Sequence, residues 1–288
     1  MKSVRFAVAG VTFEICANTV GLELPEAFNL FDLKTVEDES LSTVSDLIHI
    51  EVVSSAAGEP VGNLDWLSND PAWQVGRDDA GHFVFHVPGP APARWLSIND
   101  SFTRGTLTGD FSGLPGPIYP FHTFDIITFA NWLASQGELL IHASGFSWNG
   151  RGYAFIGPSG VGKSTLVANL LGRAGLTVLA EDQLAVRLFG GKYWIYGTPW
   201  HLRPGLYSNL GVPLEKVFFL QRSPGSALNP ISPQEAFKQL LLKGFIPYYR
   251  QEVLEGIMDG LQSLTQAIPC FALAYQLGED ILTQVLNA

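Results

Sequence analysis

Cysteine and charge are scarce in this sequence of 288 residues, and basic charge is scarcer still. The two cysteines, Cys16 and Cys270, lie far apart in the apolar contexts FEIC and IPCF and read as buried, reduced thiols. Neither they nor the six histidines show zinc-ligand spacing. His82 and His86 could share a strand face in HFVFH, but they lack a third ligand and read as structural. Charged residues make up only 15% against 47% hydrophobic, which excludes a disordered chain and sends most of the sequence inward. Seventeen Lys and Arg against 27 Asp and Glu leave a formal charge of −10, which argues against a basic nucleic-acid-binding face. Long apolar runs are missing too. The most apolar segment, FDIITFANWLA, falls short of the roughly 18 residues a membrane span needs, so no membrane association is expected. MKSVRFAVAG starts basic but has no long apolar run and no clean cleavage site, so the expected compartment is the cytoplasm.

What is present divides in two. Residues 1–120 read as a β-rich N-terminal region: VRFAVAGVTFEI, LIHIEVV, HFVFHV and RWLSIN alternate or run apolar in short bursts. The turn signals DDAG, PGPAPA and GLPGP separate them. Residues 121–288 read as a mixed α/β domain. A helix is expected from Thr123 to Ser135, then a short buried strand ELLIHASG ending at His142. A hairpin through SWNGRG leads into the strand YAFIG. Later come LAVRLF and KYWIY joined by GGK, and a helix from Pro233 to Lys243 with Ser232 as its cap. A strand FALAYQL and a short helix DILTQVL close the chain.

Between YAFIG and a helical pattern stands Gly157-Pro158-Ser159-Gly160-Val161-Gly162-Lys163-Ser164, a full match to G-x-x-x-x-G-K-[ST]. Glycines there let backbone N–H groups turn toward phosphate oxygens, in conformations closed to side chains. The helix beginning at Lys163 adds the positive end of its dipole. Lys163 is expected at the β- and γ-phosphates, and the Ser164 hydroxyl at Mg²⁺. The expected binding stretch for Mg-ATP runs from Gly157 to Thr165.

TVLAED then ends an apolar strand in Glu181 and Asp182, where phosphoryl transfer needs a metal ligand and a base. Lys163 and Asp182 are 182 − 163 = 19 residues apart, room for one helix, a turn and one strand. ABC-type and RecA-type ATPases need more chain. No LSGGQ-like signature and no NKxD guanine reader is found. The acids are therefore expected within reach of the loop, on a strand beside the one carrying YAFIG.

His142, YAFIG, GPSGVGKST, the acids after TVLA and the hairpin LAVRLFGGKYWIY together resemble the HPr serine kinase/phosphorylase catalytic domain. GTPW at 197–200 and NLGVPLEKVFFL at 209–220 are similar to segments of the broader HPr-kinase-related group. The resemblance runs from about Leu139 to Leu220. It implies a P-loop kinase core of HPr-kinase and phosphoenolpyruvate-carboxykinase type, with ATP and Mg²⁺ and an acceptor serine on a protein or peptide. It implies further that Lys163 and Ser164 hold phosphates and metal and that Asp182 is the base. By the same resemblance Glu181 stands where the first, metal-binding aspartate usually does, and His142 lies near the transferred phosphate. A strand-capping role for His142, and for Arg203 in HLRPG either charge stabilisation or an exposed loop cation, stay open. The chain departs from true HPr kinases in lacking their LEIRGLGI-like signature and in its N-terminal half. The alternative readings are a small-molecule hydroxyl kinase and a non-catalytic nucleotide-sensing protein.

Overall fold

The computed structural model describes residues 2–33, 46–55, 63–69, 73–88, 93–200, 203, 205–276 and 280–288. Most of the PGPAPA turn lies outside them, as do His201, Leu202 and Pro204 of HLRPG and the end of FALAYQL. The chain divides into two compact units, Met1–Trp132 and Leu133–Ala288. The division falls inside helix α1 (Phe124–Ser135), past the turn-rich stretch that ends the β-rich half.

The first unit is built on a sheet of eight strands among the described residues. They are β1 (Lys2–Val8), β2 (Val11–Ala17), β3 (Asp46–Ser54), β4 (Asp65–Asn69), β5 (Gln74–Arg77), β6 (Phe83–Val87), β7 (Arg94–Ile98) and β8 (Arg104–Gly109). Their order is β1-β2-β3-β8-β7-β6-β5-β4, with β3 parallel to both neighbours and the other pairs antiparallel. Period-2 alternation buries Phe6, Phe13 and Ile15, and Phe6 stacks on Phe13 at 4.7 Å. The strands DWLSN, QVGR and RGTLTG were not legible, being short and rich in polar residues and glycine. His86 stacks on Trp95 with ring centroids 4.0 Å apart, and His82 lies 3.4 Å from Asp78. Glu14, Cys16 and His49 approach one another across β2 and β3, but Glu14 is held by Arg5 on one oxygen and by His49 at 2.9 Å on the other.

The second unit carries β9 (Leu139–Trp148), β10 (Arg151–Ile156), α2 (Lys163–Ala168), β11 (Leu176–Ala180), β12 (Gln183–Phe189), β13 (Lys192–Tyr196) and β14 (Gly211–Arg222). They are followed by β15 (Ala227–Pro230), α3 (Pro233–Leu241), α4 (Gln251–Ala267), β16 (Cys270–Tyr275) and α5 (Leu282–Leu286). The strand order is β10-β9-β12-β13-β14-β16-β15, with β11 also on β9 and β10 also on β14. Alternate residues of the strands feed two cores. Ala154, Ile156, Val217 and Phe219 pack with α3 and α4, and Phe155, Phe218 and Leu273 pack with α2 and α5. The apolar runs YAFI and KVFFL follow from burial on both faces. A row of rings, Phe146, Phe155, Phe218 and Phe271, crosses β9, β10, β14 and β16 at centroid spacings of 5.5, 5.3 and 5.6 Å.

Ser232 caps α3 by accepting from the Glu235 N–H at 3.2 Å, with Pro233 in the first turn. Helix α4 was not anticipated. Val253, Ile257, Leu261 and Leu264 line one buried stripe at helical spacing, but Gly256 and Gly260 interrupt the propensity along it. Among the described residues no helix is long and apolar enough to cross a membrane.

Candidate active site

Strand β9 organises the site. On one edge it pairs with β12 through Leu139–His142 and with β11 through Gly145–Trp148, so β11 and β12 form nearly one long antiparallel partner. That partner breaks at Glu181 and Asp182, opposite Ser144 and Ala143. The break is tied down by the Ala143 N–H donating to the Asp182 carbonyl at 3.0 Å and by the Ser144 hydroxyl donating to the Glu181 carbonyl. On the other edge β10 pairs with β9 as far as Ile156 opposite Ala143, and there the chain leaves the sheet as the phosphate loop. Loop and acids thus meet across residues 142–144 of β9.

Two expectations need correction. His142 does not end its strand; β9 continues to Trp148, because ASGFSW pairs with β10 on one side and β11 on the other. The acids are not on a strand beside β10 either. The hairpin at Asn149–Gly150 folds β9 against β10, so β9 lies between β10 and β11. The acids still reach the loop, because they leave the pairing at the level where β10 ends.

Within the loop Pro158, Ser159 and Gly160 are exposed, Gly157 and Val161 are buried, and Gly162, Ser164 and Thr165 are half-buried. Gly160 and Gly162 take φ values of 75° and 109°, a left-handed backbone that a side chain would strain. They turn the loop into a concave run of N–H groups ahead of α2. Lys163 is buried, and its ammonium donates to the carbonyls of Gly157 at 3.0 Å and Pro158 at 3.3 Å. Ser164 Oγ lies 3.4 Å from the Glu181 carbonyl. The loop is braced from behind: Arg222 donates to the carbonyls of Gly160 and, at 3.3 Å, Val161, and the Tyr275 hydroxyl donates to Val161 at 3.1 Å.

His142 Nδ1 lies 3.3 Å from Asp182 Oδ1, with both side chains partly open to solvent. Burial, then the Lys163 charge, push the His142 imidazole below its ordinary pKa, against the pull of Asp182. Burial also lowers the Lys163 ammonium, Asp182 opposes it, and Lys243 adds to it. The Glu181 carboxylate is fully buried and faces Arg203 Nε at 3.7 Å. Arg203 is itself 55% exposed, a loop cation that lies beside an acid of the site.

The GTPW segment supports the acids from outside. Thr198 donates to the Gln183 carbonyl at 2.8 Å, and a side chain at Gly197 would run into the carbonyls of Ser208 and Leu179. Ser144, Arg222 and Lys243 were not anticipated, since each arrives by strand pairing with no motif to mark it. Ser164 and Asp182 offer oxygens of the kind Mg²⁺ takes, while Glu181 turns its carbonyl to Ser164 and its buried carboxylate to Arg203.

The protein-family description "AAA domain" matches residues 153–199, from β10 through the loop and the acids to the GTPW segment. No curated protein matches the chain. Among solved structures it is similar to the HPr(Ser) kinase/phosphatase from Coxiella burnetii at 15% identity and a TM-score of 0.29, covering 48% of this chain and 86% of that one. The second unit has a mixed α/β fold and carries a P-loop segment within the matched residues 153–199.

Proposed function

We propose that the chain is an ATP- and Mg²⁺-dependent kinase, acting in the cytoplasm, that passes a γ-phosphoryl group to a serine-type hydroxyl of a protein or precursor peptide. The observation that carries the reading is the convergence of loop, acids and His142 on residues 142–144 of β9. The sequence resemblance over residues 139–220 supplies the acceptor class.

In this reading the N–H groups from Gly160 to Ser164 receive the phosphate oxygens, and Lys163 exchanges its two carbonyl contacts for the β- and γ-phosphates. Ser164 would hold Mg²⁺, which neutralises phosphate charge when bound. Asp182 takes the proton of the acceptor hydroxyl as its oxygen bonds to the γ-phosphorus. The bond from phosphorus to the bridging oxygen breaks, and ADP leaves with that electron pair. His142 stays neutral at pH 7 and steadies the Asp182 carboxylate from 3.3 Å. Arg203 adds positive charge beside Glu181.

Two measurements test this. Isothermal titration with Mg-ATP should give saturable binding that Lys163→Ala loses or greatly weakens. Mass spectrometry of serine-containing peptides encoded beside the gene should then show a phosphate mass shift. Equal binding by the variant would remove the nucleotide site, and transfer only to small alcohols would move the acceptor to that class. ATP binding with no transfer to any acceptor would turn the reading into one of nucleotide sensing.

A further inference from the structure

Where β10 leaves the edge of β9 at Ile156, another piece of chain takes its place. Gly244 forms an antiparallel bridge with Ile141, the His142 N–H donates to the Lys243 carbonyl at 2.9 Å, and the Phe245 N–H donates to the Leu140 carbonyl at 2.8 Å. In that register Lys243 is directly opposite His142, and residues directly opposite in an antiparallel pair stand on the same face. Gln183 is opposite His142 on the other edge. Lys243, His142 and Gln183 therefore form one row across the sheet, level with the mouth of the phosphate loop.

We infer that Lys243 is a second ammonium of the transfer site, contacting the terminal phosphoryl group alongside Lys163. The inference rests on the phosphotransferase reading above. A lysine serving only the C-terminal end of α3 would require nothing of β9. Here Lys243 and Gly244 both donate backbone N–H groups to Leu240 at the end of α3, at 3.0 and 2.8 Å, and the chain then turns onto β9. The pairing fixes the Lys243 Cα beside His142. On that face it stands in the row of His142, whose imidazole lies 3.3 Å from Asp182. Like charges on one face of the sheet repel, and a polyanion relieves the repulsion.

During transfer the phosphoryl group moves from the bridging oxygen of ADP to the acceptor oxygen, whose proton goes to Asp182. Throughout, Lys243 donates hydrogen bonds to the equatorial phosphoryl oxygens. A group at that position distinguishes ATP from ADP.

The test is calorimetric titration of Mg-ATP and Mg-ADP into the full chain, for wild type, Lys243→Met, Lys243→Gln and Lys243→Arg. Lys243→Met should weaken ATP by about tenfold or more, the loss of a charge-assisted hydrogen bond, and leave ADP within about twofold. Lys243→Arg should recover most of the ATP affinity. If Lys243→Met loses its thermal unfolding transition, Lys243→Gln carries the same comparison. ATP and ADP weakening equally, or neither weakening, overturns the inference and leaves the kinase reading standing. A wild type that binds neither nucleotide overturns both.

Discussion

His142 and Asp182 face each other at 3.3 Å across the break in the β11–β12 partner of β9, and the Lys163 charge disfavours protonation of the imidazole. The sign of the pH response follows. His142 should titrate below the ordinary histidine value of about 6.5. Asp182→Asn should lower it further, because the anion that favours the imidazolium is gone, and Lys163→Met should raise it. Imidazole proton shifts followed by NMR in metal-free protein would read all three. Since the unfolded chain takes the proton first as pH falls through about 6.5, His142 should make the fold less stable below that pH. A His142 midpoint above the ordinary value would contradict the geometry.

Asp182→Asn should keep Mg-ATP affinity while transfer falls by about 10²- to 10⁴-fold, the usual weight of a general base. The neutral isostere keeps the shape of the break and removes the proton acceptor together with part of the charge around the metal. Single-turnover phosphoryl transfer to the accepted peptide separates this from a binding defect. Transfer at the wild-type rate would take Asp182 out of the chemistry.

Gly197→Ala should destabilise the second unit by about 1–3 kcal/mol, the cost of forcing extra volume into a packed site. The added methyl meets the Ser208 and Leu179 carbonyls, both backbone, so no flexible side chain can yield. Leu179 lies two residues before Glu181, so the acids should shift as well. Urea unfolding checks the stability loss, and transfer kinetics under native conditions check the shift of the acids. Unchanged stability would show that the segment relaxes freely.

Arg222→Ala should leave global stability within about 0.5 kcal/mol, since the side chain is exposed. It should weaken Mg-ATP binding by about tenfold, because two loop carbonyls lose a charged donor and the loop must order on binding. Equilibrium unfolding and titration calorimetry together check this. A large stability loss with unchanged affinity would make Arg222 a structural residue only.

The sequence by itself determined the local chemistry. GPSGVGKS between an apolar strand and a helical pattern marks a phosphate loop, since only that order of glycines and lysine gives a concave run of N–H groups with a cation behind it. The period-2 runs in the first 100 residues, the cap at Ser232 and the hairpin turns were legible for the same reason: each rests on neighbours within a few residues. Tertiary structure decided which distant pieces meet. That His142 lies within its strand, that β9 separates β10 from β11, that Arg203 and Ser144 come to the acids and that Lys243 lies opposite His142 all depend on tertiary pairing. Register is set by how side chains from the whole unit pack on both faces of the sheet, and one-residue slips that would scatter the site leave its local sequence unchanged.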